Sequence, residues 1–154
     1  MTEVTKDTIR SLMRDFIRAQ EEGDVEKALS FFTADAEYVT PMGTFKGQEE
    51  LRRYFAHTAQ TIPDLTITPT GVDVLVDGNQ AAYEHVISGT YQGKHCEWLA
   101  LCAYEFEDQK IRRLRTIFDR LGVVEQAASG WLQERVVGMI ASQTTKGLEE
   151  RLAG

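Results

Sequence analysis

The chain has 154 residues, 42% of them hydrophobic and 27% charged, with a formal net charge of -7. That length suits one domain with a real buried core, and the balanced composition excludes a disordered chain. The acidic excess lacks the electrostatic footprint of a nucleic-acid binder and gives no attraction to an anionic membrane.

The polar opening Met1-Thr2-Glu3-Val4-Thr5-Lys6 does not read as a secretory leader, and no apolar run reaches membrane length. Cys96 and Cys102 are the two cysteines. On one strand they would lie roughly 20 Å apart, too far for a disulfide. Two unpaired thiols fit a reducing cytoplasm, and both read as small core hydrophobes.

Ile9, Leu12, Met13, Phe16 and Ile17 form a helical stripe. Gly23 reads as its C-terminal cap and Asp24 as the N-cap of a short second helix carrying Val25, Ala28, Leu29 and Phe32. A strand is expected over 36–40, a turn at Pro41-Met42-Gly43, and a third helix over 48–59 with Leu51, Tyr54 and Phe55 inward. After Pro63-Asp64 the period becomes two. Strands over 65–76, 80–91, 95–107 and 111–119 follow, joined by short polar turns, which reads as an antiparallel meander. Helices first and sheet second predict α+β. A curled sheet wrapped on the helices could enclose a pocket. Trp131, Leu132, Val136, Met139 and Ile140 predict an amphipathic helix over 130–142, lying over the pocket mouth or a subunit interface. The organisation expected is a domain over 1–128 and a helical extension over 129–154.

Several strings in this order are similar to the SnoaL-like polyketide cyclases of the nuclear transport factor 2-like superfamily. They are Leu12-Met13-Arg14-Asp15-Phe16, Gly23-Asp24, Phe31-Phe32-Thr33-Ala34-Asp35-Ala36, Gly47, Gly89-Thr90-Tyr91-Gln92-Gly93 and Ile117-Phe118-Asp119-Arg120-Leu121-Gly122. The resemblance covers roughly residues 5 to 128. It implies a cone-shaped curved antiparallel sheet wrapped around N-terminal helices, with the C-terminal helix as an addition. It also implies that Asp119 matches the acid/base of an intramolecular aldol closure. Tyr91 stands where the cyclases carry a histidine. More distant likeness to ketosteroid isomerases places Phe16, Thr40 and Cys102 where those enzymes carry a phenol, a general-base carboxylate and a protonated carboxylic acid. Set against limonene epoxide hydrolases, His85 and Ile87 replace an arginine and a carboxylate, and only Asp119 is retained.

Side chains alternate along a strand. If Asp119 faces inward, so do Ile117, Arg115 and Arg113. If Cys102 does, so do Ala100, Trp98 and Cys96, and if His85 does, so do Tyr83 and Ile87. The candidate catalytic pair is Asp119 and His85. Tyr83, Trp98, Arg115, Cys102, Phe16 and Thr40 are candidate substrate-binding residues. The bland alternatives are an Asp119 that caps a helix over 121–128, a satisfied core His85, a surface Arg115 paired with Glu105 or Glu107, and a Tyr83 and Trp98 that merely form wall. No metal-ligand spacing and no phosphate-cradling loop is visible, so no metal and no cofactor is expected. The opposite sheet face carries Leu99, Leu101 and Ala103, an apolar row expected to meet a second subunit in a homodimer.

Two functions stay open at this level. One is a cofactor-independent cyclase, isomerase or lyase moving a proton on a small apolar carbonyl compound. The other is a non-catalytic module that holds a hydrophobic ligand or partner in the same pocket. Steroid double-bond isomerisation is not expected, because Phe16, Thr40 and Cys102 supply no phenol, no base and no carboxylic acid. An assay with an unsaturated 3-ketosteroid should show no turnover above the uncatalysed rate.

Overall fold

The computed structural model describes residues 5–152, with side chains described as far as Ser142. Helix α1 (Lys6–Glu21) starts where Thr5 accepts a hydrogen bond from the Thr8 amide. It buries Ile9, Met13, Phe16 and Ala19, one stripe at helical spacing. Gly23, at φ 66°, takes the left-handed turn that ends it. Asp24 then caps α2 (Val25–Ser30) through the Lys27 amide. Helix α3 (Gly47–Thr61) buries Leu51 and Phe55. These helices meet the sheet through an aromatic knot: the Phe16 ring stands edge-on to Phe32 at 5.3 Å and to Phe55 at 5.9 Å.

The strands are β1 (Phe32–Thr40), β2 (Gly43–Lys46), β3 (Thr66–Pro69), β4 (Leu75–Asp77), β5 (Gln80–Tyr91), β6 (Lys94–Glu107) and β7 (Lys110–Phe118). They form one curled sheet in the order β2-β1-β7-β6-β5-β3, with β4 also pairing β5. Helices on one side of this sheet give the α+β cone expected. The meander β5-β6-β7 is antiparallel as expected, but β1 pairs β7 in parallel, so the sheet is mixed. The strand expected over 65–76 is two short ones, interrupted by Thr70–Val74, a stretch that contains Gly71 at φ 102°.

Strand β6 outlasts β7. Beyond Phe118 its edge is covered by α4 (Arg120–Ala127), where the Gln126 side chain accepts from the Glu97 amide and donates to the Glu97 carbonyl, both at 2.8 Å. The amide group of one glutamine thus replaces a strand neighbour. Helix α5 (Trp131–Leu152) follows, confirming a helical C-terminal segment. It touches the body through buried Val137 and a Glu134–Lys94 ion pair. Its apolar stripe, with Trp131, Leu132, Val136 and Met139, faces away from the body and is exposed. No helix among the described residues is long and apolar enough to cross a membrane.

Gly89 has a packing reason. A Cβ there would lie 2.3 Å from Ile62 Cγ2, and the neighbouring Thr90 is gripped through both its amide and its hydroxyl by Asp64. Gly89→Ala should lower folding stability by about 1–3 kcal/mol, the usual scale of overpacking, measurable by urea denaturation.

Candidate functional site

The inner faces of β5 and β6 follow the alternation expected from sequence. Tyr83 and His85 on β5, and Cys96, Ala100 and Cys102 on β6, are buried. Strand β7 does not follow it. Glu105 pairs with Arg113 whereas the next residue, Phe106, pairs with Ile111, so Arg112 is an extra residue and forms a bulge. After it the inward residues are Leu114 and Thr116, and Arg115 and Ile117 point outward.

Two expectations are corrected here. Arg115 does not join the pocket; it lies on the outer face and pairs with Glu105 at 2.7 Å. Asp119 does not face inward beside His85. It is exposed, and its carboxylate caps α4 by accepting from the Gly122 amide at 3.0 Å. A Cβ on Gly122 would sit 2.7 Å from that carboxylate, so the glycine makes the cap possible. The close Ile117-Phe118-Asp119-Arg120-Leu121-Gly122 string therefore has a complete local explanation as a strand end and a helix start.

The enclosed cavity is small, about 30 Å³, with room for about one or two water molecules. It ends not at Asp119 but among His85, Cys102, Thr116, Tyr38 and Tyr104, with Ile17 and Gln20 of α1 closing the helix side and Ile67 of β3 also in the lining. A chain of polar atoms crosses its wall. Tyr38 Oη and Thr116 Oγ1 are 3.1 Å apart, Thr116 Oγ1 and Cys102 Sγ are 3.1 Å apart, and Cys102 Sγ lies 4.0 Å from His85 Nε2. Nδ1 of His85 is buried and makes no hydrogen bond. Tyr83 stacks on the imidazole at 4.9 Å between centroids.

This wall carries no charge. Burial pushes the Tyr38 and Tyr104 phenols well above their ordinary value and the Cys102 thiol up to about 11. Burial also lowers the pKa of His85, against a smaller opposing effect of the Tyr83 backbone. Every one of these groups is neutral at pH 7.

The remaining candidates separate. Trp98 lies on the inner face of β6 beside Phe118, and its indole nitrogen is buried without a partner. Phe16 belongs to the aromatic knot. Thr40 is tied to the turn that follows it, accepting from the Met42 amide and donating to the Gly43 carbonyl. Neither lines the cavity. Tyr38 and Thr116 were missed in the sequence; Thr116 becomes legible only once the bulge at Arg112 is known. Cys96 and Cys102 are both buried and free. Among the described residues no group of three His, Cys, Asp or Glu could hold a metal ion.

A helix-filled cone of this topology is the nuclear transport factor 2-like, or ketosteroid isomerase-like, fold, and solved structures agree. A putative polyketide cyclase from Xanthomonas campestris pv. campestris superposes with a TM-score of 0.72 at 15% identity, over 80% of this chain and 98% of its own. TsrD from Streptomyces laurentii gives 0.72 at 22% identity, over 82% and 98%. TerC, co-crystallised with polyporic acid, gives 0.70 at 19%, over 79% and 99%. The SnoaL-like domain model matches residues 13–114, and the chain belongs to that family. A search of curated proteins returns no match.

The depressed pKa of His85 has a signed consequence. The unfolded chain, with an ordinary imidazole near 6.5, binds the proton more readily than the folded one. Stability is then lost as the pH falls through and below that value, and the contribution is flat above it. The urea midpoint should fall between about pH 7 and about pH 5, and fall less steeply in His85→Gln.

Proposed function

We propose that the protein binds a small, uncharged, largely apolar carbonyl compound inside the cone and moves a proton on it, as a cofactor-independent enzyme of cyclase or isomerase type. The observation that carries this reading is His85: a buried imidazole, neutral at pH 7, with an unpartnered Nδ1 in a cavity wall that holds no charge. An uncharged wall favours an uncharged ligand, because a buried unpaired charge costs several kcal/mol. Nδ1 takes a proton from a carbon acid and returns it at another atom, leaving the imidazole unchanged overall. Asp119 would share this work only if it left its helix cap. The cavity must also widen to admit a ligand larger than water.

Binding without chemistry is the second reading, and the outward Asp119 is the observation that favours it. Exchange of the α-protons of cyclohexanone in heavy water, followed by NMR, separates the two. The protein should accelerate exchange, and His85→Gln should remove about a hundredfold or more of that rate. Asp119→Asn should change it little, since asparagine caps a helix as well as aspartate. Loss in Asp119→Asn with retention in His85→Gln would transfer the role to Asp119. Absence of any acceleration would leave the binding module.

We further propose a cytoplasmic homodimer joined through the outer sheet face, where Leu99 is 55%, Leu101 48% and Ile117 69% exposed. Light scattering should give twice the chain mass, and Leu101→Glu should return the protein to monomer.

A further inference from the structure

The outer face of the sheet is not flat. Its side chains stand in rungs, each crossing the strands at one level. One rung runs from Leu75 on β4 through Ala82 on β5 and Ala103 on β6 to Arg115 on β7, each the register partner of the next. Two methyl groups form its middle, and Arg115 is drawn toward Glu105, 2.7 Å away. The result is a trench of about 350 Å³, floored by Ala82 and Ala103 and banked by Leu75 and Arg115. The next rung carries Glu84, Leu101 and Ile117. Leu101 and Ile117 are both exposed, so this rung is an apolar ridge.

A ridge beside a trench of similar length fits a second copy of the same face. In a two-fold contact, residue i of one copy meets residue j of the other, and j meets i. A copy turned over about an axis that crosses the strands at the level of Cys102 exchanges the two rungs. Leu101 of each copy then lies over Ala103 of the other, and Ile117 lies over the stem of Arg115. An axis running along the strands sets ridge on ridge instead and fills neither trench.

Charge and area both favour this occupant. A net charge of -7 makes copies of the chain repel one another. Beside these rungs, however, Arg115 pairs with Glu105, and Glu37 pairs with Arg113 and Lys46, which leaves this part of the face close to neutral. Four strands by four rungs measure about 19 Å by about 26 Å, or about 500 Å² on each copy. Two such faces bury about 1,000 Å², the lower bound for a stable association. A contact that small depends on close packing, and an unfilled trench would forfeit part of it.

We propose that the trench over Ala82 and Ala103 seats the Leu101–Ile117 ridge of a second copy, which fixes the register of the homodimer. The inference rests on the dimer reading above and adds which residues meet. Exchanging ridge and trench tests it, with dimer dissociation measured by sedimentation of the full chain and folding checked by urea denaturation. Ala103→Leu fills the trench and should weaken the dimer about tenfold or more. Leu101→Ala removes the ridge and should weaken it on a similar scale, about tenfold. The double variant Leu101→Ala/Ala103→Leu only swaps their places, and its affinity should return to within about threefold of the unmodified chain. Ala82→Leu fills the same trench from β5 and should weaken the dimer likewise, a second route should Ala103→Leu fail to fold. A dimer kept or tightened by both trench-filling variants, or a double variant weaker than either single one, overturns the register and leaves the dimer reading intact. An unmodified chain that stays monomeric at every concentration overturns the dimer reading, and the register with it.

Discussion

Arg112 is one residue too many for the ladder between β6 and β7, and the sheet absorbs it as a bulge. Because the side-chain period of a strand is two, one extra residue exchanges the two faces for everything beyond it. Thr116 turns into the cone, where it bonds Tyr38 and Cys102, and Arg115 turns out to Glu105. The same shift carries the strand to its end with Phe118 inside against Trp98, so that Asp119 arrives at the rim free to start α4. The place of Thr116 in the cavity wall and the outward position of Asp119 both follow from that single insertion.

What remains inside is a polar but uncharged surface. Tyr38, Thr116, Cys102 and His85 are linked edge to edge, and burial keeps each in its neutral form. Such a wall differs from one built on a buried carboxylate. It offers hydrogen bonds at fixed directions without the desolvation cost of an ion, and it selects by shape and by the placement of donors and acceptors.

Much of the fold was legible because its signals are local. The stripe Ile9, Met13, Phe16, the cap at Asp24 and the turns at Gly78 and Gly93 are each written in a few adjacent residues, and the alternation on β5 and β6 runs unbroken from Ala81 to His85 and from Cys96 to Phe106. The parallel pairing of β1 with β7 joins residues nearly eighty positions apart, as in Phe32 with Ile111, and no local pattern specifies it. The site was half legible for the same reason. His85, Tyr83, Trp98 and Cys102 lie on unbroken strands and were placed on the correct face. Asp119 and Arg115 lie beyond a bulge that composition does not announce, since Arg112-Arg113 reads equally well as an ordinary alternation at a strand edge.

The pairing of Gln126 with Glu97 gives α4 a second task. The overhanging end of β6 is a bare strand edge, the kind of surface onto which a foreign strand can add. Glutamine satisfies it with one amide group, and Lys94, bound to the Ala128 carbonyl, fastens the far end of the helix over the same edge. A movement of α4 that freed the carboxylate of Asp119 would strip this guard. Conformational freedom at the rim of the cone is thereby coupled to the risk of strand-to-strand aggregation, which gives the fold a reason to keep that rim shut.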